Sequence, residues 1–115
     1  MIKSSDIIIE GNTLVLPKGV VATFNQPIAQ AQIADNVIIV RLRIDPPVIQ
    51  NENVFGVSAD GMTLWQVPRL DHVYNDSSFT GMTCQGKSVI LHNWDGLDLK
   101  IEAESGKIIQ KSYSK

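Results

Sequence analysis

Residues 54–64 read Val54-Phe55-Gly56-Val57-Ser58-Ala59-Asp60-Gly61-Met62-Thr63-Leu64, and residues 89–99 read Val89-Ile90-Leu91-His92-Asn93-Trp94-Asp95-Gly96-Leu97-Asp98-Leu99. Slid by 35 residues, Val54 falls on Val89, Asp60 on Asp95, Gly61 on Gly96 and Leu64 on Leu99. Each copy is an apolar run, an Asp-Gly pair and a returning run. That is the strongest short-range hairpin signal in a sequence, because Asp and Gly tolerate the backbone angles a tight turn demands. A chain that repeats it is predicted to be β.

The surrounding sequence agrees. Asp6 to Leu16 is a β-rich run broken at Gly11-Asn12, which reads as a first hairpin, and Val20 to Phe24 as a short strand. Ile28 to Ile33 alternates and runs into Asp35-Asn36, so it reads as a strand despite its alanines. Val37 to Ile44 is the clearest strand. Val40, Leu42 and Ile44 face one way, Arg41 and Arg43 the other, and the unbroken Val37–Val40 run predicts cover on both faces. Asp45-Pro46-Pro47 stops it, because proline cannot donate to a ladder. Residues 68–81 read as a long exposed loop with brief strands. Leu99 to Glu102 is expected to pair back through Gly106 onto Ile108 to Tyr113, with Lys107, Lys111 and Lys115 blocking the edge. No segment holds a 3.6-residue apolar period over three turns. The expectation is an all-β, single-domain antiparallel meander of hairpins over residues 1–115, with room for one short helix.

Two-residue turns at both Asp-Gly pairs would set the faces. Phe55, Val57, Ala59, Met62 and Leu64 would point inward in the first hairpin. In the second, Ile90, His92, Trp94, Leu97, Leu99 and Ile101 would do so. Trp65 would then lie across from Gly56, ring over glycine. A longer turn would exchange the faces.

Composition narrows the function. With 115 residues, 43% hydrophobic and 19% charged, this is ordinary globular material for one domain. Cys84 is the single cysteine, so there is no internal disulfide and no cysteine zinc site; it reads as a small buried hydrophobe. No leader pattern opens the chain and no apolar run is long enough to span a bilayer, so a cytoplasmic location is expected. Residues 51–104 carry eight acidic and three basic groups, a local charge of −5. That disfavours nucleic acid and suits a basic partner, although turn-rich segments also gather Asp for structural reasons.

No phosphate loop and no His-x-x-x-His pair occurs, and no cofactor site is recognised. Asp71-His72 invites a catalytic reading, but strand neighbours point to opposite faces. A metal site from His72, His92 and Asp71 or Asp76 is weaker still. The chain reads as a non-enzyme that works by its surface.

Two resemblances rest on these residues. Val54–Gln66 and Val89–Lys107 look like blades of quinoprotein-type β-propellers, which carry a strand, a turn, a Trp and a closing turn ending in Gly-Lys, here Ser105-Gly106-Lys107. That implies local propeller-blade geometry, without a cofactor-binding ring. The stretch Phe24–Tyr113 resembles small bacterial proteins found among immunity proteins of contact-dependent inhibition and other polymorphic toxin systems. Its markers include Asp35-Asn36-Val37-Ile38-Ile39-Val40, Leu64-Trp65-Gln66-Val67 and Asn93-Trp94-Asp95-Gly96. The resemblance implies a cytoplasmic antitoxin, monomeric when free, that covers the active site of a cognate toxin domain, plausibly a basic nuclease. The surface residues assigned to that role are Asp71, His72, Tyr74, Asp76 and Phe79 in the long loop, with Trp94, Asp95 and Asp98 at the second hairpin; for each, an ordinary turn or core role is the competing reading. The rival function is a small-ligand or carbohydrate-binding module that stacks its ligand on Trp65 or Trp94.

Overall fold

A computed structural model describes residues 2–70 and 76–113. Eleven strands form three antiparallel sheets among the described residues. The first sheet holds β1 (Ile8–Glu10), β2 (Thr13–Val15) and β3 (Val21–Thr23). The second holds β4 (Ile28–Ala34), β5 (Val37–Leu42), β6 (Val54–Val57) and β7 (Thr63–Gln66). The third holds β8 (Phe79–Gln85), β9 (Ser88–Asn93), β10 (Leu97–Glu102) and β11 (Ile108–Tyr113). Within each sheet every strand pairs with its sequence neighbours. The fold is therefore the expected all-β meander, and among the described residues its only helical segments are two single 3₁₀ turns, Ser4–Asp6 and Pro17–Gly19.

The second sheet is the middle layer. Ile38, Val40 and Leu42 of β5 pack toward the first sheet with Leu14, Leu16, Ile28 and Val57. Val37 and Ile39 pack toward the third with Val54, Trp65, Leu91 and Leu99. Residues 37–40 are buried throughout, as a run covered on both faces requires. The leading strands β1, β4 and β8 lie side by side, so the sheets fan out from a common inner edge.

The turns overturn one expectation. Both Asp-Gly hairpins close with three-residue loops. Gly61 N–H donates to Ser58 O at 3.0 Å and Gly96 N–H to Asn93 O at 3.1 Å. Gly61 and Gly96 then take φ of +84° and +93°, the left-handed residue that follows a type I turn in such hairpins. In the second hairpin the extra residue reverses the face of β9, while Leu97, Leu99 and Ile101 of β10 point inward as expected; in the first, a bulge between Gly56 and Val57 restores the expected Gly56–Trp65 pair. In the second hairpin Val89, Leu91 and Asn93 point inward, while Ile90, His92 and Trp94 point away. In the first, Met62 and Leu64 are exposed and Trp65 is buried. Phe55 and Val57 do point to a core, but on the side of the first sheet.

The two hairpins also occupy different places. Asp60-Gly61 joins the third and fourth strands of its sheet, whereas Asp95-Gly96 joins the second and third. The structural counterpart of the Gly61 turn is the Gly106 turn between β10 and β11. Each docks on the outer part of the preceding sheet, Gly61 against Val20 and Gly106 against Trp65.

Candidate functional site at the loop end of the sheets

In a meander, successive connections alternate between the two ends of a sheet. The tight turns at 35–36, 58–62, 86–87 and 103–107 share one end. The opposite end carries 24–27, the long connection 43–53 with its cis Pro46-Pro47 bond, the described ends of the β7–β8 connection and the turn at 94–96. Of the sequence-predicted residues among the described ones, Asp76, Trp94 and Asp95 map to that loop end.

A cavity of about 370 Å³ opens there, lined by Ile44, Pro46, Asp76, Ser78, Thr80 and Trp94. Three connections build it. Proline ends β5 and throws the chain outward at Ile44–Pro46. The β9–β10 turn lifts Trp94, which is 58% exposed. Segment 76–80 supplies a carboxylate and two hydroxyls.

Buried amides hold this end in place. Asn53 is fully buried and donates through Nδ2 to Leu42 O and Phe79 O, both at 2.9 Å, while Oδ1 accepts from Phe79 N–H at 2.8 Å. It thereby ties the second sheet to the first residue of the third. Asn93 donates to Ser77 O at 2.9 Å and accepts from the Ser77 hydroxyl; Ser77 N–H in turn reaches Asn51 Oδ1 at 2.8 Å. Among the described residues no buried side-chain nitrogen or oxygen lacks a partner, which is what makes a buried polar network stabilising.

The predicted residues divide as follows. Asp76 and Trp94 meet at the cavity. Asp95 is half-buried beside it and accepts from Leu97 N–H at 3.0 Å, shaping the turn. Phe79 is a correction: at 2% exposure it is a core side chain of β8, so it offers no surface to a partner. Asp71, His72 and Tyr74 lie outside the described residues.

Asp98 stands on the outer face of the third sheet. Its carboxylate is 2.9 Å from His92 Nδ1, and His92 Nε2 is 3.1 Å from the Thr83 hydroxyl. The sequence reading missed this three-residue chain because it sent His92 inward. The cross-strand pairs His92–Asp98 and Thr83–Ile90 would have shown it once the turn length was known. With the neutral ring donating to Asp98, the ring's other nitrogen accepts from Thr83. Ile90 apart, this face is polar, carrying Lys100, Gln110 and Ser112.

Trp65 is not a ligand platform. It is 8% exposed, and its indole N–H donates to Ala103 O at 2.8 Å. Cys84 is half-buried, lies 3.3 Å from Gln32 Oε1, and burial pushes its thiol up from its ordinary pKa. Arg41, half-buried, donates to Gln30 Oε1 at 3.1 Å, and its desolvation lowers its pKa. Among the described residues no three His, Cys, Asp or Glu side chains converge to hold a metal ion, and no helix is long and apolar enough to cross a membrane.

Known structures share the fold. BamB from Moraxella catarrhalis is similar with a TM-score of 0.63 and 17% identity, over 94% of this chain and 33% of that one. The WD40 β-propeller domain of Doa1 is similar with a TM-score of 0.58 and 12% identity, over 97% of this chain and 38% of that one. The chain thus spans about a third of the length of these solved chains. At such identities the likeness is one of fold, and it bears out the propeller-blade resemblance of the sheets. None of the curated proteins matches. Residues 4–113 match the family model described as Domain of unknown function (DUF7957), and the chain belongs to that family.

Proposed function

We propose that this protein is a binding module whose partner, another protein, docks on the loop end. The carrying observation is Trp94, a large aromatic 58% exposed at a cavity whose rim also holds Asp76. Tryptophan is enriched among the few side chains that carry most of the affinity at protein interfaces. The acidic balance of residues 51–104 supports a basic partner, since opposite charge speeds encounter and rejects wrong partners. In its specific form the reading is that of an immunity protein: the loop end covers the active site of a cognate toxin domain, plausibly a nuclease.

The test is growth. The C-terminal domain encoded by the neighbouring upstream gene is expressed in a host with and without this protein. Arrest relieved by this protein, together with a one-to-one complex, supports the proposal. Toxicity that it does not relieve, with no complex, overturns it.

The rival reading is a carbohydrate-binding module, with Trp94 as the stacking platform and the Ser78 and Thr80 hydroxyls beside it. Burial removes Trp65 from that role. A saturable saccharide titration of Trp94 fluorescence would favour it.

A further inference from the structure

The chemistry of the loop-end cavity specifies more than a docking face. One wall is apolar, from Ile44 and Pro46; the other surfaces are an indole, a carboxylate and two hydroxyls. A volume of about 370 Å³ lies near the lower end of ligand cavities, so it suits one long side chain better than an extended ligand.

We propose, building on the protein-binding reading above, that this cavity receives an arginine side chain of the docked partner. The aliphatic stem would lie along Ile44 and Pro46, as long cationic side chains do on apolar surface. The guanidinium would face Trp94, where the ring quadrupole attracts a cation, and fork onto the Asp76 carboxylate. A guanidinium carries five N–H donors and no acceptor. The carboxylate and the Ser78 and Thr80 hydroxyls provide acceptors in three places; a planar guanidinium can engage the carboxylate with two parallel N–H donors and keep others for the hydroxyls, whereas a lysine ammonium meets a carboxylate as a point charge. A neutral or acidic side chain would leave Asp76 without a counter-charge.

The probe is N-acetyl-arginine amide, titrated against the folded protein while the indole N–H signals of Trp65 and Trp94 are followed by NMR. The lysine and citrulline amides serve as comparisons. Citrulline keeps the shape of arginine and lacks its charge. The expected result is a saturable shift of the Trp94 signal, with Trp65 still. Citrulline amide should bind at least tenfold more weakly, and lysine amide should fall between. Asp76→Asn should weaken arginine amide by a similar factor while unfolding as the parent does.

Equal binding of arginine and citrulline amides overturns the proposal, as does the absence of any saturable Trp94 shift. A stronger response to lysine amide overturns the choice of arginine. The growth assay is scored separately, so an empty result in this titration leaves the protein-binding reading to stand or fall on that assay.

Discussion

Gly106 lies so close beneath the indole of Trp65 that a Cβ on the glycine would stand 2.7 Å from the ring. Gly56 approaches the same ring, at 2.3 Å for its own missing Cβ. The tryptophan of the second sheet is thus clasped between a strand glycine of its own sheet and a turn glycine of the next. Gly106 also has φ of +74°. Gly106→Ala should therefore carry both a clash and a strained backbone. A loss of about 2–4 kcal/mol is expected, read from the midpoint of urea unfolding. Gly56→Ala lacks the backbone strain and should cost about 1–3 kcal/mol from the clash.

Trp65→Phe removes the N–H that reaches Ala103 O and also shrinks the ring held between the two glycines. The buried carbonyl is then unsatisfied. Thermal unfolding should show a loss of about 1–3 kcal/mol. An unchanged midpoint would mean that water replaces the indole.

Asn53→Leu preserves approximate size and strips three hydrogen bonds, two of them across the junction of the second and third sheets and one to Leu42 within the second. Phe79 N–H loses its acceptor in a fully buried place. The expected cost is about 3 kcal/mol or more. Hydrogen exchange at Phe79 should rise well above that of the β9 amides, because the defect is local.

Asp60 titrates below the usual carboxylate range, chiefly because the Ser58 hydroxyl donates to it and secondarily through a backbone N–H. A depressed folded-state pKa adds stability that is present above the unfolded value and is lost as pH falls through the folded one. Ser58→Ala should return the Asp60 titration, followed by NMR, toward ordinary values. Acid unfolding of the parent and the variant should then converge at low pH.

Trp94 and Trp65 differ sharply in exposure, 58% against 8%. Acrylamide should quench a red-shifted component and spare a blue-shifted one, and Trp94→Leu should abolish the first. As a surface change it should alter stability by no more than about 0.5 kcal/mol. In the growth assay it should nevertheless reduce protection. Full protection by a folded Trp94→Leu protein would remove Trp94 from the interface.

Much of this architecture is legible in the residues. Val37–Val40 announces a doubly covered strand, Asp45-Pro46-Pro47 ends it, and Gly106 marks a left-handed turn residue. The pairing of Trp65 with Gly56 and the inward face of Leu97, Leu99 and Ile101 are legible too, whereas the face of β9 is not, and the cause is a single residue. Ser58-Ala59-Asp60-Gly61 and Asn93-Trp94-Asp95-Gly96 each have a small polar residue three before glycine, the pattern of a type I turn. Taking Asp-Gly alone as the turn shortens the loop by one residue and inverts the side chains of β9, while Leu97, Leu99 and Ile101 of β10 keep the inward face expected of them. That error hid the Thr83–His92–Asp98 chain and sent Trp94 toward the core. The 35-residue repeat misled differently: it matches turn chemistry, whereas sheets align by strand order, which only long-range pairing reveals. Phe79 looked like a loop residue because Asp76-Ser77-Ser78 precedes it; its burial comes from cover by the neighbouring sheet, which local sequence does not carry.

Two buried bonds that join the second and third sheets sit toward opposite ends. Trp65 reaches Ala103 near the tight turns, and Asn53 grips Phe79 near the loops. Two sheets riveted at both extremities cannot spread like pages of a book. The gap between the 43–53 connection and the β9–β10 turn is therefore expected to keep its width when a partner arrives, and association should proceed without a slow opening step.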